Sequence, residues 1–61
     1  MMNAIPVGDG YVKFVEGNEI IAEVYALANH DKWRVRIPGL EDADLSSRDE
    51  AVNYVHRQLD K

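Results

Sequence analysis

The chain has 61 residues, with seven Lys plus Arg against eleven Asp plus Glu, a formal net charge of −4 and no cysteine. That length makes one domain, 1–61, and a chain so short buries only about 60% of its unfolded surface. Without cysteine there is no disulfide, thiol nucleophile, Cys-type zinc site or iron–sulfur cluster, and the composition suits a reducing, cytoplasmic setting.

Hydrophobic residues at 46% and charged residues at 30% place the chain among folded proteins. No apolar run approaches the ~18 residues that span a bilayer. Residues 1–10 lack the basic and long apolar regions of a signal peptide and read as an irregular arm, with Pro6 and Gly8-Asp9-Gly10 as turn punctuation.

Tyr11-Val12-Lys13-Phe14-Val15 is rich in aromatic and β-branched residues and reads as a strand. Gly17-Asn18 follows, then a long strand from Glu19 to Ala28, a polar turn at Asn29-His30-Asp31-Lys32, and Trp33-Arg34-Val35-Arg36-Ile37. The last of these alternates apolar and basic residues with the period of a half-buried strand. Residues 11–37 are thus expected to form a three-stranded sheet. Pro38-Gly39 ends it, and residues 38–46 read as an acidic loop holding Glu41, Asp42 and Asp44.

Residues 47–60 read as a helix. Ser47-Arg48-Asp49-Glu50 fits a capping box, a hydroxyl at the cap and a carboxylate three residues on. Ala51, Val52, Val55 and Leu59 recur at helical spacing with Tyr54 on the margin. The expected architecture is α+β: a three-stranded antiparallel meander with one C-terminal helix on one face.

A four-residue turn at 29–32 pairs Ala28 with Trp33, Ala26 with Val35 and Val24 with Ile37. A three-residue loop, Glu16-Gly17-Asn18, pairs Phe14 with Ile20 and Val12 with Ala22, whereas the two-residue loop Gly17-Asn18 brings Glu23 onto the apolar face. The three-residue loop is preferred. The inner face is then Val12, Phe14, Ile20, Ala22, Val24, Ala26, Ala28, Trp33, Val35 and Ile37. The small residues of the middle strand suit a helix lying close across it.

The outer face is left with Tyr11, Lys13, Val15, Ile21, Glu23, Tyr25, Leu27, Arg34 and Arg36. One helix cannot cover both faces, and Val15, Ile21, Tyr25 and Leu27 are more apolar than water requires. Apolar exposure rimmed by charge marks interaction sites, and Tyr and Arg are enriched at binding hot spots. Tyr11, Val15, Ile21, Tyr25, Leu27, Arg34 and Arg36 are therefore the candidate protein-interaction residues. The arm could also cover this face through Ile5 and Val7.

Catalytic chemistry finds little material. His56 and Asp60 are four apart on a helix, but nothing nearby completes a metal set. His30-Asp31 reads as a hairpin tip. Ser46 and Ser47 are explained by capping, and Glu41, Asp42 and Asp44 lack the EF-hand spacing. Gly8-Asp9-Gly10 lacks the lysine of a phosphate loop, and so small a chain has little room for a water-excluding pocket. The chain is expected to be neither an enzyme nor a cofactor carrier, and no small-molecule substrate is evident.

Trp33-Arg-Val-Arg-Ile, a short loop and then Leu45-Ser-Ser-Arg-Asp-Glu-Ala-Val resemble the last strand and helix of small three-stranded-sheet-plus-helix domains. These are the N-terminal arm-binding domains of phage integrases, the plant AP2 domains, and the hybrid-binding domain of some ribonucleases H. The resemblance covers under half of the chain. It implies a nucleic-acid-binding sheet with Lys13, Arg34 and Arg36 as the contacts, although the acidic total and Glu23 depart from the basic sheet of those families. Size and composition also suit accessory proteins of phages and mobile elements. The leading expectation is a protein-interaction module, with a protein partner or a second copy on the outer face. A DNA- or RNA-binding domain is the alternative, and no membrane is implied.

Overall fold

The computed structural model describes residues 2–59. Five strands, β1 (Met2–Pro6), β2 (Tyr11–Glu16), β3 (Glu19–Ala26), β4 (Trp33–Arg36) and β5 (Ala43–Leu45), precede one helix, α1 (Arg48–Leu59). Each strand pairs antiparallel with the next, in the order β1-β2-β3-β4-β5. The α+β class, the antiparallel sheet and the C-terminal helix are as expected. The strand count is five instead of three.

Both additions lie at the sheet edges. The arm 1–10 is not irregular: residues 2–6 form β1 against β2. Its Pro6 costs the sheet nothing, because an edge strand needs only every second N–H for its one neighbour. Similarly, Ala43-Asp44-Leu45 leaves the acidic loop to pair with β4. The loop contracts to the turn at Pro38-Gly39, where Gly39 sits at φ +90° and Leu40 N–H donates to the Ile37 carbonyl at 3.0 Å.

Alternation sends Val12, Phe14, Ala22, Val24, Trp33 and Val35 to the helix side, where they are buried with Ile37, Ala51 and Val55. Phe14, Val24, Val35 and Val55 are the largest fully buried side chains. Each such side chain contributes about 1.5–3 kcal/mol by leaving water. Helix α1 packs over β3, β4 and β5. Phe14 of β2 reaches it by an edge-on contact with His56, ring centroids 5.8 Å apart. Val52 and Tyr54 complete the packed face of α1, whereas Leu59 is exposed.

The helix begins after Ser47, one residue later than expected, since Ser47 is the cap. Its hydroxyl accepts the Glu50 N–H at 3.1 Å, a bond that contributes about 1 kcal/mol in such caps. The Glu50 carboxylate reaches back to the Ser46 hydroxyl at 2.6 Å. The helix end expected at residue 60, and with it Asp60, lies outside the described residues.

Both hairpin registers differ from expectation. The first loop has two residues, Gly17-Asn18, with Gly17 at φ +64°. A β-bulge then keeps Glu23 off the apolar face. Phe14 lies opposite Ala22 but Val15 lies opposite Ile20, leaving Ile21 as the extra residue. The same apolar face is thus reached by a bulge within β3, without a longer loop. It exchanges two neighbours. Ile20, expected in the core, is 49% exposed, while Ile21, expected outside, packs against the core.

In the second hairpin Trp33 pairs with Ala26 and Val35 with Val24, two residues from the expected register. A shift of two preserves the faces. It arises because Leu27 N–H bonds the Lys32 carbonyl and Ala28–His30 form a 3-10 turn with Asn29 and His30 left-handed. Ala28, expected in the core, lies in this exposed turn.

Candidate functional site

The face turned away from α1 is ordered in cross-strand rows, because antiparallel pairing puts opposite residues on the same side. One row runs Ile5, Lys13, Glu23, Arg36. The next runs Tyr11, Tyr25, Arg34, Asp44. A third joins Asn3, Val15 and Ile20. Opposite charges directly across a sheet stabilise it by about 0.2–1 kcal/mol per pair.

The first row alternates Lys, Glu and Arg, and Arg36 Nε lies 3.8 Å from Asp42 Oδ1. In the second row Arg34 is held at both ends of its fork: Nε donates to Asp44 Oδ1 at 2.8 Å and Nη2 to Oδ2 at 3.1 Å. The Asp44 carboxylate raises the Arg34 pKa, with Tyr25 adding less. The Arg34 guanidinium in turn holds the Asp44 carboxyl below its usual range, with help from Lys32. A depressed carboxyl stabilises the fold above its unfolded pKa, and that stabilisation is lost as pH falls through the folded value. Both side chains are well exposed, so salt screens the pair. Burial, then the Glu23 carboxylate that accepts its hydrogen bond, raises the Tyr11 hydroxyl above its ordinary pKa.

Of the seven expected interaction residues, the sheet brings Tyr11, Val15, Tyr25, Arg34 and Arg36 onto this face. Leu27 stands beyond the end of β3 in the connecting turn and is half-buried. Ile21 is excluded, because the bulge turns it toward the core. Asn3, Ile5, Ile20 and Asp44 are additions. The signal for Asp44 lay in Ala43-Asp44-Leu45, whose alternation matches Trp33-Arg34-Val35 with the charge reversed.

The expected nucleic-acid contacts Lys13, Arg34 and Arg36 share this face, with Glu23 between Lys13 and Arg36, and each is opposite or bonded to a carboxylate. A phosphate would have to displace Asp44 from Arg34 and approach Glu23 and Asp42.

The helix side has an open groove of about 450 Å³, bounded by Ala4, Pro6 and Val12 on the sheet and Arg48, Asp49, Val52 and Asn53 on α1. It exists because β1 extends the sheet past the helix. A smaller recess of about 220 Å³ lies beside Ile20, Ala22, Glu23, Arg36 and Pro38. Neither lining pairs a nucleophile with a base. Among the described residues no group of three or more His, Asp or Glu could hold a metal, and no helix is long and apolar enough to cross a membrane. Comparison with protein-family models, curated proteins and solved structures finds no match.

Proposed function

We propose that this chain is a non-catalytic protein-interaction module that docks a partner protein through the outer face of its sheet. The observation that carries the reading is the paired Tyr11–Tyr25 row, set among Val15, Ile5 and Ile20 on a five-stranded face that α1 does not cover. Tyrosine supplies large, rigid contact area with a polar tip, and is enriched where proteins meet. The charges around it are already matched within the face, so a docking protein need not neutralise an excess of either sign.

The same matching weighs against nucleic acid, which requires cations free to displace counterions. The partner chemistry is a surface with apolar contacts for the two tyrosine rings and a hydrogen-bond donor for the Tyr11 hydroxyl oxygen, whose proton Glu23 already accepts. An accessory protein of a phage or mobile element, acting by docking on a host protein, suits the size and composition.

The test is capture from host lysate by the immobilised chain, comparing wild type with Tyr25→Asp and with Arg57→Glu on the exposed side of α1. A specific protein retained by wild type and Arg57→Glu but lost with Tyr25→Asp is the expected result, with circular dichroism confirming that both variants fold. Equal capture by all three removes the outer face as the docking surface. Binding to a nucleic-acid duplex at low salt that disappears in Arg34→Glu/Arg36→Glu overturns the reading in favour of nucleic acid.

A further inference from the structure

The two edges of the sheet are not alike. In an antiparallel strand each residue points its N–H and C=O to one side, and successive residues alternate sides. Val7 N–H donates to the Tyr11 carbonyl at 2.8 Å. With the register Pro6–Val12, Ile5–Lys13, Ala4–Phe14, this assigns Asn3 and Ile5 to bonding with β2. The N–H and C=O of Met2 and Ala4, and the C=O of Pro6, then face the open edge. At the other edge Leu27 N–H donates to the Lys32 carbonyl at 2.8 Å. The same alternation leaves only Asp44 of β5 facing outward, in a strand of three residues flanked by Glu41 and Asp42.

Short length, charge and proline are how proteins guard a sheet edge. β5 has the first two. β1 has only Pro6, at its last position: residues 2–8 carry no charged side chain, in a chain of net charge −4. Two copies repel through their acidic surfaces, and β1 is the edge at which they approach with least opposition.

We propose that β1 pairs antiparallel with β1 of a second copy about a two-fold axis at Ala4, which joins the two sheets edge to edge. The register that pairs all five residues places Ala4 opposite the partner's Ala4 and Met2 opposite the partner's Pro6. Ala4 N–H then donates to the partner's Ala4 carbonyl and the reverse, and Met2 N–H donates to the partner's Pro6 carbonyl and the reverse. Such an interface is isologous, with the same patch serving on both sides. Proline's missing donor leaves only the Met2 carbonyl unmatched, at the strand end where water reaches it. On the helix side the flexible Met2 side chain comes to lie beside Pro6, at the mouth of the groove that Ala4, Pro6 and Val52 bound. This surface is the rim of the sheet and is independent of the outer-face reading.

Sedimentation equilibrium from micromolar to millimolar concentration tests it with wild type, Ala4→Pro and Tyr25→Asp. Ala4→Pro deletes an N–H that β2 does not use, so it removes the central pair of intermolecular bonds and spares the fold. The expected result is a mass rising from 6.9 kDa toward twice that value for wild type and Tyr25→Asp, and staying at 6.9 kDa for Ala4→Pro. Amide exchange of wild type provides a check that needs no variant: the Ala4 N–H gains protection as concentration rises. A wild-type chain that stays monomeric throughout overturns the proposal. So does an Ala4 amide that exchanges freely at millimolar concentration, or a dimer that Tyr25→Asp dissolves and Ala4→Pro does not. That last outcome would instead place self-association on the outer face.

Discussion

Phe14→Ala should leave the chain mostly unfolded at 25 °C. Phe14 is fully buried and links β2 to two other elements: it lies opposite Ala22 of β3 and meets His56 of α1 edge-on. Truncating a buried Phe to Ala costs about 3–5 kcal/mol, from lost transfer energy plus the cavity left behind. A core below about 70–80 residues rarely supplies more than about 3–5 kcal/mol in total. The loss therefore matches the whole margin. Far-UV circular dichroism with urea titration is the measurement, and the expected result is loss of a cooperative transition. A native spectrum with a midpoint near that of wild type would show that Phe14 does not hold helix and sheet together.

Ala51→Leu should lower Tm by about 5 °C or more. Ala51 has no exposed surface where α1 crosses the sheet, and the middle strand meets the helix with Ala22 and Val24. Extra methylenes in a packed core cost about 1–3 kcal/mol, and each kcal/mol shifts Tm by about 4–8 °C in a domain of this size. Ala28→Leu serves as the comparison. Sequence reasoning places Ala28 in the core, whereas the structure exposes it in the turn after β3. That substitution should change stability by no more than about 0.5 kcal/mol. Equal effects of the two substitutions in a thermal melt would contradict the position of the helix.

What could be read from the sequence was whatever repeats with a period. Trp33-Arg-Val-Arg-Ile announces a half-buried strand because one of its faces meets the core, and Ser47 with Glu50 announces a helix start because the cap chemistry is local. Strand β1 carries no such signal. Its alternation of Met2, Asn3, Ala4, Ile5 and Pro6 is weak because helix α1 does not reach that far, so neither face needed to be strongly apolar. Strand β5 has only the three-residue alternation Ala43-Asp44-Leu45, which becomes a signal when set against Trp33-Arg34-Val35, and the Asp44 partner, Arg34, lies ten residues away.

The bulge at Ile21 leaves no mark in the alternation and changes the site most. A two-residue loop and a bulge give the same core as a three-residue loop, but they exchange Ile20 and Ile21 between core and solvent. The charge rows are likewise a property of register: Lys13, Glu23 and Arg36 are far apart in sequence, and only the pairing of β2, β3 and β4 shows that a carboxylate stands between the two cations.

The functional reading depends above all on the direction of the β3 side chains, and proton–proton Overhauser contacts from the Tyr25 ring measure it most directly. Contacts to Tyr11 and Arg34, with none to Val55, are the expected result. Contacts between Tyr25 and Val55 would put the tyrosines beneath the helix and contradict a docking face on the other side of the sheet.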